Sequence, residues 1–320
     1  MAHRNSGFEQ RSSTRPLSTP AGEGDVEYRS TIPSPIKATL KRGRASLARR
    51  TSNGRLLPGY LIIGGQRCGT TSLYTYLKSH PLVAGSLEKE VHYFDLHFHL
   101  GEQWYRSHFA TRIYASGVSV LRGNPPVVGE ATPDYLFFPT VPERAHKLIP
   151  DARLIVLLRN PIDRAFSHYQ KERARGHESL SFDEAIAREP ERLAGEEARM
   201  LADPSYYSYA FDHFSYASRG IYIDQLLRWG RFYSQDQMLI LRSEDLFSDP
   251  ARVYWSVQRF LGLPAHSLRT YPRRNVRPYQ QLGDDTRAQL NDFFAPHNAR
   301  LSEYLGFDPG WSGRRPGDGP

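Results

Sequence analysis

The turn Gly64-Gly65-Gln66-Arg67-Cys68-Gly69 encloses one arginine and is followed at once by three hydroxyl residues, Thr70, Thr71 and Ser72. A fixed cation, a run of hydroxyls and the free amides of a helix start all donate to oxygen, so together they suit a bound phosphate. The outer glycines have the G-x-x-x-x-G spacing of a nucleoside triphosphate loop, which then requires Lys followed by Ser or Thr. Thr70 and Thr71 stand at those two places, so the lysine that reaches a β/γ-phosphate is missing. The residues fit instead a terminal 5′-phosphate gripped by Gln66, Arg67, Cys68, Gly69, Thr70, Thr71 and Ser72, with Arg67 over its bridging oxygen. Glycines that serve packing alone would not explain an arginine and three hydroxyls around one turn. Cys68 fills a small space in the loop and is assigned no chemistry of its own.

Four further groups carry chemistry. Lys89-Glu90-Val91-His92 offers a carboxylate and, two residues on, an imidazole, either of which can take up a proton. Arg159 ends the apolar run Leu154 to Leu158, and Ser167 follows eight residues later. Arg273-Arg274-Asn275-Val276-Arg277 is a second cationic cluster, and Glu130-Ala131-Thr132-Pro133-Asp134-Tyr135 a polar turn. Residues 206–216 hold six aromatic rings, suited to a packed lid or to stacking on an acceptor, and Arg219 follows as a further candidate contact for the donor nucleotide.

Read together and in this order, these motifs resemble the sulfotransferases that use 3′-phosphoadenosine 5′-phosphosulfate (PAPS), in particular the heparan-sulfate-type domains and their bacterial relatives, from about Leu57 to about Leu305. The resemblance implies a P-loop-like sulfotransferase fold, PAPS as donor, 3′-phosphoadenosine 5′-phosphate (PAP) as product, and no metal. Glu90 matches the family's general base, with His92 as a second base, an orienting partner of Glu90 or an ordinary loop histidine. Arg67 stands where many members carry a lysine. Arg159 and Ser167 match the clamp on the ribose 3′-phosphate. Arg277 aligns with an arginine of the loop that closes over the donor, and Arg273 and Arg274 are placed beside that phosphate. Lys89, Thr132 and Tyr135 fall on the acceptor side. Ala131 occupies a place where some relatives have lysine, which weakens the case for a polyanionic acceptor. Arg164 and Arg173 read as solvated or acceptor-facing.

These residues need a frame to converge. Tyr60 to Ile63 and Arg153 to Leu158 read as buried strands, Pro81 to Ala84, Val127 to Glu130 and Met238 to Leu241 as shorter ones. Helices are expected over Thr70 to Lys78, behind Pro161, and over Val141 to Leu148, Ile221 to Tyr233, Pro250 to Leu261 and Asp284 to Tyr304, the last with Pro296 as a point of interruption. Alternating strands and helices predict an α/β fold, a central parallel β-sheet flanked by helices on both faces, with ligands at the carboxyl ends of the strands, where Arg67, Glu90 and Arg159 fall.

Length and charge bound the remainder. No linker-like stretch interrupts residues 58–307, which are expected to form one domain between a disordered basic tail, 1–57, and a disordered C-terminal tail, 308–320. The net charge of +8 suggests nucleic acid, but residues 1–57 hold eleven Lys/Arg and four Asp/Glu, so seven of the eight excess charges lie in the tail. No nucleic-acid partner is expected. The single cysteine rules out an intramolecular disulfide, no run approaches the roughly 18 apolar residues of a membrane span, and a soluble cytoplasmic protein is expected. The expected partner is a small-molecule or glycan hydroxyl acceptor; neither its identity nor the oligomeric state is legible. Competing readings are a P-loop kinase or nucleotide triphosphatase, disfavoured by the missing lysine and by Arg159 where an acid would stand, and a non-catalytic polyanion-binding module.

Overall fold

The structure, a computed structural model, describes residues 48–274 and 282–311. Its frame is a five-stranded parallel sheet in the order β2 (Val83–Gly85), β3 (Val127–Ala131), β1 (Tyr60–Gly64), β4 (Arg153–Leu158), β5 (Met238–Arg242). Strands at the centre of such a sheet are covered on both faces, which is why β1 and β4 are near-continuous apolar runs. Alternate residues go to opposite faces. Leu61, Ile63, Leu154 and Val156 join Phe94, Tyr105, Tyr135 and Trp229 on one side. Tyr60, Ile62, Ile155 and Leu157 join Leu73, Leu77, Tyr254 and Val257 on the other. Gly129 is required where β3 passes the Tyr60 ring, because a Cβ there would sit 2.3 Å from it.

The helices fall close to expectation: Thr70–Lys78, Val141–Leu148, Pro161–Ala174, Tyr222–Trp229 and Pro250–Leu261. Asn160 caps Pro161–Ala174, its side chain accepting from the Ile162 and Asp163 amides, and Pro161 takes the first helical position. The closing helix Asp284–Leu305 is not interrupted at Pro296. Pro296 and Asp292, whose carbonyl loses its partner, are both exposed, so water takes the place of the missing bond. Among the described residues no helix is long and apolar enough to cross a membrane.

Both expected tail boundaries move outward. Residues 48–57 join the packed body: Ala48 is buried, Arg55 bridges to Thr111, and the Leu56 amide donates to the Ala110 carbonyl at 2.9 Å. At the other end Trp311 is buried with its ring 5.8 Å from that of Tyr222. The spacing of polar and glycine residues there resembles a tail, but single aromatic and aliphatic anchors suffice to hold each segment. Residues 1–47 and 312–320 lie outside the described residues, as does Arg277.

Candidate active site

At the carboxyl ends of β1, β3 and β4 lies a cavity of about 750 Å³. Twelve of the residues expected at the site line it: Gln66, Arg67, Gly69, Thr70, Thr71, Lys89, Glu90, His92, Arg159, Ser167, Arg273 and Arg274. The glycine-rich turn enters from β1 and passes straight into helix Thr70–Lys78, which places that helix N-terminus in the cavity wall. Gly69 caps that helix at φ 88°, and a Cβ there would lie 3.0 Å from the Phe247 ring. The turn is thus glycine by conformation and by space.

Three non-glycine residues among those described have left-handed backbone: Arg67 (φ 69°), Glu90 (φ 61°) and His92 (φ 53°). All three line this cavity. Each such residue costs on the order of 1–3 kcal/mol, and strain of this kind persists where the surroundings hold it.

The surroundings do hold it. Arg67 Nε donates to Ser167 Oγ at 3.0 Å, and the Arg67 carbonyl accepts from Arg159 Nη1 at 3.3 Å. The turn arginine and the Arg159/Ser167 pair, expected at opposite ends of a donor nucleotide, are therefore one hydrogen-bonded group. From the far end of the chain Arg273 lies over the Phe247 ring at 4.4 Å, while the Arg274 amide donates to Ser72 Oγ at 2.9 Å.

On the other side, the loop 86–95 crosses the sheet top, fixed where the Glu90 amide donates to the Ala131 carbonyl at the end of β3. Glu90 contacts Lys89 Nζ, and His92 Nε2 lies 4.0 Å from Glu90 Oε2. His92 Nδ1 donates to the fully buried Asp95 carboxylate at 2.8 Å. Burial pulls the His92 ring down, but the Asp95 charge and hydrogen bond outweigh it and carry the ring up to about 9. At neutral pH His92 therefore keeps its proton, which disfavours it as the base. Of its expected roles the geometry leaves the partner of Glu90.

Four expected site residues are not in the cavity wall. The Cys68 side chain is buried in the core, and its amide donates to the Gly65 carbonyl. Ser72 points at the Arg274 backbone as described. Thr132 and Tyr135, expected on the acceptor side, are fully buried beneath the Glu90 loop. Their hydroxyls donate to Glu130 at 2.7 Å and 3.1 Å, Tyr105 adds a third bond at 2.6 Å, and Tyr135 Oη accepts from the Tyr93 amide at 2.9 Å. Burial raises the Glu130 carboxyl. Glu130, Thr132 and Tyr135 thus support the loop from below, while Pro133 and Asp134 of the same turn reach the cavity wall.

Two arginines also turn inward. Arg219 is buried in an ion pair with Asp134 and is not in the cavity wall. Arg164 is buried, donating to the Tyr216 carbonyl. Asp134 also accepts from Gln66 Nε2 at 3.1 Å, which fixes the glutamine of the turn.

Sequence reasoning missed Lys171 and Arg175, which line the cavity with Ser167. The signal was present: they follow Ser167 by four and eight residues, on the same face of Pro161–Ala174 and its cap. With them the wall holds seven Lys/Arg against the carboxylates Glu90, Asp134 and Asp212. Among the described residues one group, Glu172, His177 and His213, has the spacing of metal ligands, within 4.8 Å. Lys171 Nζ sits 2.8 Å from Glu172, and the two imidazoles stack at 4.2 Å.

Residues 57–278 match the family model for the sulfotransferase domain. The chain is similar to the human bifunctional heparan sulfate N-deacetylase/N-sulfotransferase 2, with 30% identity over 292 residues covering 78% of this chain and 29% of that protein. It is also similar to mouse heparan sulfate glucosamine 3-O-sulfotransferase 3A1, 29% identical over 80% of this chain and 65% of the relative. The chain therefore spans less than a third of the first relative's length and just under two thirds of the second's. Among solved structures, a sulfotransferase from Alicyclobacillus acidocaldarius aligns at a TM-score of 0.57 and 30% identity, covering 80% of this chain and 99% of the other.

Proposed function

Because the chain belongs to the sulfotransferase domain family, we propose that it moves a sulfuryl group from PAPS to the hydroxyl of a carbohydrate or other small-molecule acceptor. The observation that carries this reading is one cavity with a phosphate-binding helix start and the Arg67–Ser167–Arg159 group on one side and the Glu90 carboxylate on the other. The helix-start amides, Thr70 and Thr71 hold the 5′-phosphate; Arg159 and Ser167, with Lys171, Arg273 and Arg274 in the same wall, receive the 3′-phosphate. The acceptor oxygen attacks sulfur in line, an O–S bond forms, and the S–O bond to the phosphate breaks with its electron pair leaving on PAP. Glu90 takes the acceptor proton, and protonated His92 keeps a positive charge beside it. Arg67 supplies charge to the bridging oxygen as it departs but does not give up a proton, since a guanidinium stays charged. With guanidinium groups carrying the charge stabilisation, the step is proposed without a metal.

Thermal unfolding with PAP and with ADP tests the donor: PAP is expected to raise the melting temperature more, and an equal or smaller rise refutes it. Glu90→Gln is expected to abolish turnover while PAP affinity stays within about twofold; loss of both together would make Glu90 a structural residue.

A further inference from the structure

A second cavity, of about 810 Å³, adjoins the first. Two connections join them. Leu96 lies in both walls, next to Asp95, which lines the second cavity and holds His92 of the first. Tyr207 lines the second, and its hydroxyl donates to Asp212 at 2.9 Å and lies 3.3 Å from His213 Nε2, both in the wall of the first. The second cavity therefore meets the first at Leu96, near His92, and at Asp212 and His213.

Its chemistry is the opposite of its neighbour's. The wall is built from rings and apolar groups, Phe98, Phe138, Met200, Tyr206 and Tyr207 among them, and it has two charged side chains. Both are committed. The Asp95 carboxylate is bonded to His92 and to the Leu96 amide at 2.8 Å. Arg144 donates to the Phe94 carbonyl at 2.7 Å and the Pro204 carbonyl at 3.0 Å, with its guanidinium stacked 4.6 Å from the Phe98 ring. A sulfated glycan entering here would give up hydration of its anions and meet no uncommitted lysine or arginine in return, only the His97 and His99 rings, which is unfavourable. A ring with apolar faces would cover Phe98 and Tyr207, which are 38% and 46% exposed.

We infer that the second cavity is the acceptor subsite and that it selects a neutral alcohol carrying an aromatic ring, free or glycosylated, over a polyanionic glycan; the inference rests on the sulfuryl-transfer reading above. The test uses 4-methylumbelliferyl β-D-glucoside and the PAP-loaded full-length protein, with binding followed by fluorescence. Saturable binding by wild type is expected. Phe98→Ala and Tyr207→Ala are each expected to weaken it by about three- to tenfold, the range for loss of one ring contact. PAP affinity is expected to stay unchanged in Phe98→Ala, which is outside the donor cavity wall, and probe binding by Tyr207→Ala is read against that variant's own PAP affinity, because it also loses the bond to Asp212. No binding by wild type that still binds PAP, or equal binding by both variants, overturns the subsite and leaves the sulfotransferase reading intact. Preference for a desulfated heparan oligosaccharide that competes the probe away and is unaffected by either substitution overturns it as well. Failure of wild type to bind PAP overturns the earlier reading, and this one with it.

Discussion

Of the carboxylates that hold the charge on His92, Asp95 contributes most, ahead of Asp134 and Glu90, and Asp95→Asn removes that contribution with little change of shape. The Asp95 side chain is buried, its Oδ2 accepts from His92 Nδ1 at 2.8 Å, and its Oδ1 accepts from the Leu96 amide, a bond that asparagine retains. These carboxylates lift His92 from 6.5 to about 9 against the opposing effect of burial. That rise corresponds to about 3 kcal/mol between the charged and neutral ring. Because the folded protein holds this proton more tightly than the unfolded chain, the stabilisation is complete below pH 6.5 and disappears as pH rises through about 9. In Asp95→Asn burial dominates, so the ring is expected to titrate at or below 6.5 and the neutral form to prevail at pH 7.5. Two measurements check this. Titration of the His92 ring by NMR is expected to move by two units or more, and the alkaline limb of the kcat/KM profile to move with it, from about pH 9 to below neutrality. An alkaline limb that stays near 9 in the variant would refute the assignment of that limb to His92. A His92 titration that does not move would refute the electrostatic account of the site.

Arg159→Ala is expected to weaken PAP far more than adenosine 5′-phosphosulfate, measured by calorimetry; equal losses would remove Arg159 from the 3′-phosphate. Tyr135→Phe strips the Tyr93 amide and Glu130 of a partner, at a cost of about 1–3 kcal/mol, and loosens the loop that carries Glu90. Its melting temperature and kcat are expected to fall together, with PAP affinity retained. Burial pushes the Glu172 carboxyl up, but bonds from His213 and Lys171 outweigh it and bring it from 4.5 down to about 2. That contribution, about 3 kcal/mol, is present above pH 4.5 and lost as pH falls through about 2. Urea unfolding of Glu172→Gln is accordingly expected to show a deficit of that order at pH 7 that narrows between pH 4.5 and 2.

The frame and the donor side were legible because their signals are local. Strands β1 and β4 are buried on both faces and so are written as unbroken apolar runs, and the phosphate turn is one contiguous segment. Elements at their carboxyl ends then had to meet. Two of the three residues expected on the acceptor side were misread because exposure is a tertiary property. Thr132 and Tyr135 look like ligands beside a motif, yet their hydroxyls satisfy Glu130, a carboxylate buried by strands and helices far apart in sequence. Arg164 and Arg219 failed for the same reason: a guanidinium is expected in water until a carbonyl or carboxylate from another segment encloses it. Lys171 and Arg175 were within reach of helical spacing from Ser167 but were not sought.

The inward orientation of Cys68 makes labelling chemistry simple. It is the only cysteine of the chain, it is fully buried, and burial raises its thiol, so a maleimide finds no reactive thiolate on the folded protein. A cysteine introduced at an exposed position such as Leu121 is then the sole thiol that takes a dye or surface tether, with no native residue to remove first. The same burial shields the turn from oxidants, so loss of activity under peroxide would have to be traced to methionine or histidine.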